Sequence, residues 1–210
     1  MENNNQPSKI SKAVIILSVI IAAISMYILL TTDLSKKPLA GQGNTIKDQA
    51  SIGGEFELVD HNGNKFSSSM MQGKLSLVYF GFTFCPDICP TSLQKLTNVL
   101  QTLEKYHIDV LPILITIDPK RDSPEVLKAY VTHFHPKIIG LTGSEDQITK
   151  VSKLYKVYFA KAGDNQDSKN YMMDHSSFVY LMDKDGKYIK HFYMSTTPEE
   201  IVEAIRINNK

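Results

Sequence analysis

The sequence has no tryptophan and only two cysteines in 210 residues. Two cysteines exclude a disulfide-rich scaffold and a zinc site built from four thiolates. Charge of one sign is also missing: Lys+Arg is 23 and Asp+Glu is 22, a net charge of +1. Without a basic excess to neutralise phosphates, nucleic-acid binding loses its usual electrostatic footprint. The first arginine is Arg121. A mitochondrial transit peptide is Arg-rich and amphipathic, so no such presequence is visible, and a bacterial membrane protein fits better. No internal repeat or low-complexity run appears after residue 50.

Hydrophobic residues make up 42% and charged residues 21%, which is a globular profile rather than a disordered one. The length suits one medium domain with an extension. Ala13 to Leu30 (AVIILSVIIAAISMYILL) runs without a charge. At about 1.5 Å per residue a helix of that length spans roughly 27 Å, close to a bilayer's hydrocarbon core. A cleaved signal peptide usually has a shorter apolar core and a small-residue cleavage site. Here bulky Leu29-Leu30 precedes Thr31-Thr32-Asp33. The reading is an uncleaved single-pass anchor. Lys9 and Lys12 flank one side, Lys36 and Lys37 the other, so charge does not orient it. The chain divides into a short tail (1–12), a transmembrane anchor (13–32), a linker (33–50) and one domain (51–210).

Within the domain, Glu55 to Val59 and Phe66 flank Asp60-His61-Asn62-Gly63, a hairpin signal. Leu75 to Phe80 and Val110 to Ile117 read as buried strands. Leu93, Leu96, Leu100 and Leu103 form a helical stripe between them. Ser123-Pro124 predicts a helix start, with Ser as cap and Pro at the first position. A short strand at Ile138–Leu141 and a helix over 145–156 follow. Gly163 to Asn170 is a polar loop to which no function is assigned. Phe178–Met182 and Tyr188–Phe192 pair through Asp183-Lys184-Asp185-Gly186, and a helix over 198–207 ends the chain. Strands alternating with helices predict an α/β fold, a sheet covered by helices with antiparallel strands at its end.

The chemistry sits at Cys85-Pro86-Asp87-Ile88-Cys89-Pro90. It lies at the carboxyl end of a buried strand, the usual site position in an open α/β sheet. It also precedes a helix whose N-terminus favours thiolate. Pro90 disfavours helical geometry at Cys89, so the segment reads as a constrained turn. Two such thiols can form a disulfide or present two thiolates to one soft ion. One added imidazole would also suit Cu(II) or Zn(II). Two inert buried cysteines are the bland alternative.

Six histidines compete for third place. His61 reads as solvated in a turn. His107 sits at a helix end, and His133 and His135 read as capping residues. His191 alternates in a strand. His175, in Met172-Met173-Asp174-His175-Ser176-Ser177, reads as a loop residue opposite the cysteine turn. It fits a ligand and a capping or core histidine equally well. Met172 and Met173 read as packing. Asp118-Pro119-Lys120-Arg121-Asp122 follows the second buried strand. Arg121 and Asp122 read first as turn and helix-start charges; Asp118 fits that role or a group behind the cysteine site.

With these residues in place the chain resembles the Sco/SenC family, copper-binding assembly factors of cytochrome c oxidase. The resemblance runs over about residues 52–205. It rests on Gly81 to Pro90 (GFTFCPDICP), Ile117 to Leu127 (IDPKRDSPEVL), Phe134-His135-Pro136, Gly140-Leu141-Thr142-Gly143 and Asp174-His175-Ser176, in that order. Ser123, where Thr is common, and the polar loop after Ala162 depart from the pattern. The resemblance implies a thioredoxin-like fold with an N-terminal β-hairpin extension, preceded by a single transmembrane helix. It implies that Cys85, Cys89 and His175 bind one copper, Cu(I) or Cu(II), with Asp118 and Asp174 beside the site. The implied function is a membrane-anchored metallochaperone rather than an enzyme. Its partners would be the oxidase's copper-bearing subunit and another copper chaperone or thiol reductase. The implied location is the bacterial inner membrane with the domain in the periplasm, or alternatively the mitochondrial inner membrane facing the intermembrane space. The competing function is a thiol–disulfide reductase that keeps the oxidase subunit's cysteines reduced through Cys85 and Cys89. A peroxide-reducing thiol enzyme is a third reading. Neither rival needs His175.

Overall fold

The computed structural model describes residues 17–27, 52–163 and 171–209. Residues 17–27 are an exposed helix in a unit separate from the rest. Among the described residues no helix is long and apolar enough to cross a membrane. The remainder of the expected anchor (13–16 and 28–32), the linker (33–50) and 164–170 of the polar loop lie outside the described residues.

In the second unit the most apolar segments become the sheet centre. β3 (Leu75–Gly81) is buried along its whole length, and β4 (Val110–Thr116) nearly so. They pair in parallel, from Leu75 opposite Val110 to Gly81 opposite Thr116. A strand covered on both faces needs apolar residues at every position, which is how LSLVYF and VLPILIT read. β5 (Ile139–Thr142) lies parallel to β4. β8 (Val179–Met182) lies antiparallel to β3, and β9 (Tyr188–Phe192) antiparallel to β8. The hairpin of β1 (Glu57–Asp60) and β2 (Lys65–Ser67) joins the far edge beside β5. The sheet order is β2-β1-β5-β4-β3-β8-β9. This is the expected mixed α/β, thioredoxin-like sheet with its N-terminal hairpin.

Four helices cover it: α1 (Ile88–Lys105), α2 (Pro124–Thr132), α3 (Glu145–Leu154) and α4 (Pro198–Asn208). The predicted leucine stripe of α1 is buried, with Leu93, Leu96, Leu100 and Leu103 each 2% exposed or less. Ser123 caps α2 by accepting from the Val126 N–H at 3.3 Å, and Pro124 opens the helix.

Three local readings need correction. β6 (Phe159–Ala162) and β7 (Met172–His175) form a second, two-stranded sheet, so His175 ends a strand rather than lying in a loop. Neither segment alternates cleanly, because both are only partly buried, and that hid them from a periodicity argument. Cys89 lies inside the first turn of α1. Pro90 is tolerated there because first-turn N–H groups have no helical partner. His61 is not free in solvent: its Nδ1 accepts from the Gly140 N–H at 3.0 Å.

Leu96, only 1% exposed against the sheet, measures how far this helix depends on packing. Leu96→Ala is expected to lower the unfolding free energy by about 2–5 kcal/mol. Urea denaturation should show a lower midpoint with an unchanged slope.

Candidate metal centre

β3 ends at Gly81, and the chain turns through Phe82 to Cys85 before α1. The Ile117 N–H donates to the Gly81 carbonyl at 2.9 Å, which levels the carboxyl ends of β3 and β4. Asp122 then fixes the turn. It is fully buried. Its carboxylate accepts from the Thr83 N–H at 3.1 Å, from the Thr83 hydroxyl, and from the Thr116 hydroxyl at 2.6 Å. Burial raises its pKa above the ordinary carboxylate value, against the lowering effect of those bonds. The reading of Asp122 as a helix-start charge is therefore replaced: it ties the cysteine turn to the end of β4.

A second tie holds the histidine strand. Asp118, 3% exposed, accepts from the Tyr171 hydroxyl at 2.6 Å and pairs with Arg121 Nε. Arg121 Nη1 donates to the Tyr171 carbonyl at 2.9 Å. Its guanidinium centre lies 3.8 Å from the Tyr171 ring centroid and 4.6 Å from that of Phe84. Phe84 adjoins Cys85, and Tyr171 leads into β7, so one cation stacks on both halves of the site. The Asp118 carboxylate thus touches Arg121 and Tyr171, and its backbone N–H donates to the Thr116 hydroxyl at 2.9 Å. Asp174 is exposed on β7; its charge favours a protonated His175.

The cysteines and His175 converge between these ties. The Cys89 N–H donates to Cys85 Sγ at 3.4 Å. Cys89 Sγ lies 3.6 Å from His175 Nε2. His175 Nδ1 lies 3.1 Å from the Ser176 carbonyl, which sets the tautomer: Nδ1 carries the proton and donates, and the Nε2 lone pair faces the sulfur. The ring packs edge-on against Phe82 and Tyr79, at 6.0 and 6.3 Å between centroids. Burial lowers the His175 pKa, so the ring stays neutral. Burial also pushes the Cys89 thiol up to about 12, so the sulfur holds its proton at neutral pH. Both cysteines are free; Cys85 is half-buried and Cys89 fully buried. Among the described residues no three His, Cys, Asp or Glu side chains are gathered into a finished ligand set. Cys89 and His175 are already paired, and Cys85 is engaged by a backbone N–H.

Asp122, Arg121 and Tyr171 matter here more than their sequence context suggested. The only signal was position: Arg121 and Asp122 follow a buried strand at its carboxyl end, and Tyr171 stands four residues before His175.

The chain matches the family model described as SCO1/SenC over residues 44–208. A SCO2-like protein of Rickettsia felis is 53% identical over 201 residues, covering 96% of this chain and 98% of that protein. The structure of Bradyrhizobium japonicum ScoI with copper bound superposes with a TM-score of 0.69 at 39% identity, covering 75% of this chain and 99% of that one. BsSco is described by its structure as having a disulfide switch and belonging to the Sco family of cytochrome c oxidase assembly proteins. It superposes with a TM-score of 0.61 at 25% identity, covering 78% of this chain and 97% of that one.

The Asp122 tie is testable apart from any ligand. Asp122→Ala leaves the Thr83 N–H and the Thr116 hydroxyl without an acceptor in a dry interior. It is expected to lower the unfolding free energy by about 3 kcal/mol. Amide hydrogen exchange should show faster opening of residues 82–85 than of the β3 centre.

Proposed function

The chain belongs to the SCO1/SenC family, and from that premise we propose that it is a copper-binding assembly factor for cytochrome c oxidase. It holds one copper ion per chain through Cys85, Cys89 and His175. The observation that carries this reading is the neutral His175 imidazole, aimed through Nε2 at the buried Cys89 sulfur 3.6 Å away. A thiol–disulfide reductase or a peroxide-reducing enzyme does not need that imidazole. The donor set also fits the cargo: two thiolates suit soft Cu(I), and one imidazole extends the site to Cu(II).

The residues divide the work. Cys89 and His175 form the fixed half. Cys85 completes the set by turning its side chain away from the Cys89 N–H. Half-buried at the edge, Cys85 is the ligand that an incoming donor group meets first. Delivery then proceeds by ligand exchange to the oxidase's copper-bearing subunit. Phe84 and Ile88, 54% and 39% exposed beside the cysteines, offer that subunit an apolar rim. Oxidation of both thiols to a disulfide removes two ligands, so copper loading and thiol redox state are coupled. The apolar stretch 13–32 anchors the chain in the bacterial inner membrane, with the domain on the periplasmic side. The rival role, reduction of the oxidase subunit's cysteines, would begin at Cys85, because a buried thiol raised to about 12 attacks poorly.

Full-length chain in detergent, reduced and titrated anaerobically with Cu(I), is expected to bind one ion per chain. His175→Ala is expected to weaken Cu(I) binding at least about tenfold and to abolish a stable Cu(II) complex. Equal binding by both proteins would move the reading to the reductase.

Affinity should also depend on pH with a definite sign. The Cys89 proton must leave before the sulfur can bind copper, so affinity rises with pH. The lowered His175 pKa keeps that ring from competing for protons. Chelator competition between pH 6 and 8 is expected to show a gain of at least roughly tenfold per pH unit, the signature of one released proton.

A further inference from the structure

Tyr79 is a polar side chain in a dry place. It lies on β3 between Val78 and Phe80, and it is fully buried. Its hydroxyl makes no well-formed hydrogen bond among the described residues, although it lies within interaction range of Cys89 and Ser92. A leucine or phenylalanine would fill the same core volume without an orphaned O–H, so packing alone does not explain the oxygen.

Its surroundings do. A Cβ at Gly81 would stand 2.8 Å from the Tyr79 ring edge and 3.0 Å from Cys89 Sγ. The bare glycine thus lets the tyrosine ring and the sulfur crowd one point. The His175 ring packs edge-on against the same tyrosine. The neighbouring Ser92 hydroxyl lies 2.8 Å from the Ile88 carbonyl and 3.0 Å from Met194 Sδ, and it also faces the phenol. A phenol carries its proton at neutral pH, so the group is a donor.

We propose that Tyr79 is a positioning residue of the copper site: its O–H donates to Cys89 sulfur once that sulfur is a metal-bound thiolate. The inference rests on the copper-binding reading. A neutral thiol is a weak acceptor, and the hydroxyl has little to gain from it. A thiolate is a strong one, and a hydrogen bond to a charged group is worth more than a neutral pair. The bond draws charge off the sulfur and weakens its donation to the metal. Hydrogen bonding around a ligating sulfur is one of the levers that set a copper site's potential.

The test is Tyr79→Phe in the full-length chain, with Ser92→Ala as a packing control. The readouts are copper stoichiometry and affinity, the sulfur-to-Cu(II) charge-transfer band, and the melting temperature of the metal-free protein. Tyr79→Phe removes an oxygen that makes no well-formed hydrogen bond in the metal-free state, so its metal-free melting temperature is expected to stay level or rise. It should still bind one copper per chain, about tenfold more weakly. Its charge-transfer band should move to lower energy, because an unbonded thiolate is the better donor. Ser92→Ala should keep the parent band. An unchanged band and affinity in Tyr79→Phe would overturn the inference, as would an equal shift in Ser92→Ala. A lower metal-free melting temperature with parent-like copper binding would make Tyr79 a core residue and overturn it too. Failure of the parent to bind copper is a different result: it would overturn the functional reading itself.

Discussion

A carboxylate with three donors and no access to water decides the shape of this site. Asp122 gathers the Thr83 backbone, the Thr83 hydroxyl and the Thr116 hydroxyl onto one group. Thr83 belongs to the turn that carries Cys85, and Thr116 closes the strand beside it. Leaving a buried charge without these partners costs several kcal/mol, so the loop has one favourable position rather than many. Everything downstream inherits that position. The Phe82 carbonyl receives the Cys85 N–H, α1 starts at Ile88, and Cys89 enters the interior on the first turn.

The opposite wall is held by a different kind of contact. Arg121 spans Asp118, the Tyr171 carbonyl and two aromatic faces. A planar guanidinium can stack and donate at once, which an ammonium cannot. β6 and β7 are otherwise a small sheet of four-residue strands, and two-stranded sheets are marginal alone. The arginine tie and the packing of His175 on Tyr79 and Phe82 join that small sheet to the main one. The imidazole meets the sulfur across two sheets that share no strand.

Burial sets the chemistry of the pair. It keeps His175 neutral and Cys89 protonated. The Cys89–His175 pair is therefore uncharged, which avoids an isolated thiolate in the core; under the proposed reading, metal loading would be coupled to proton release.

Much of this was legible along the chain. LSLVYF and VLPILITI are apolar at every step, as strands covered on both faces must be. Leu93, Leu96, Leu100 and Leu103 mark the buried side of a helix, and Ser123-Pro124 marks where another begins. The cysteine turn declared itself by spacing and by its place after a strand. What stayed hidden was whatever depended on contacts distant in sequence. His175 and Cys89 are 86 positions apart, and nothing near that histidine in sequence makes it a ligand rather than a capping or core residue. Asp122 looked like a helix-start charge because a carboxylate there serves either purpose until Thr83 is brought to it. Tyr79 looked like one more strand residue, since a β-forming phenol is ordinary core material. Local sequence determines periodicity, caps and turns, because those energies are set by neighbours within a few residues. Only the tertiary structure decides which buried polar groups face one another, because packing of the whole sheet brings them within bonding distance and removes the water that would otherwise satisfy them.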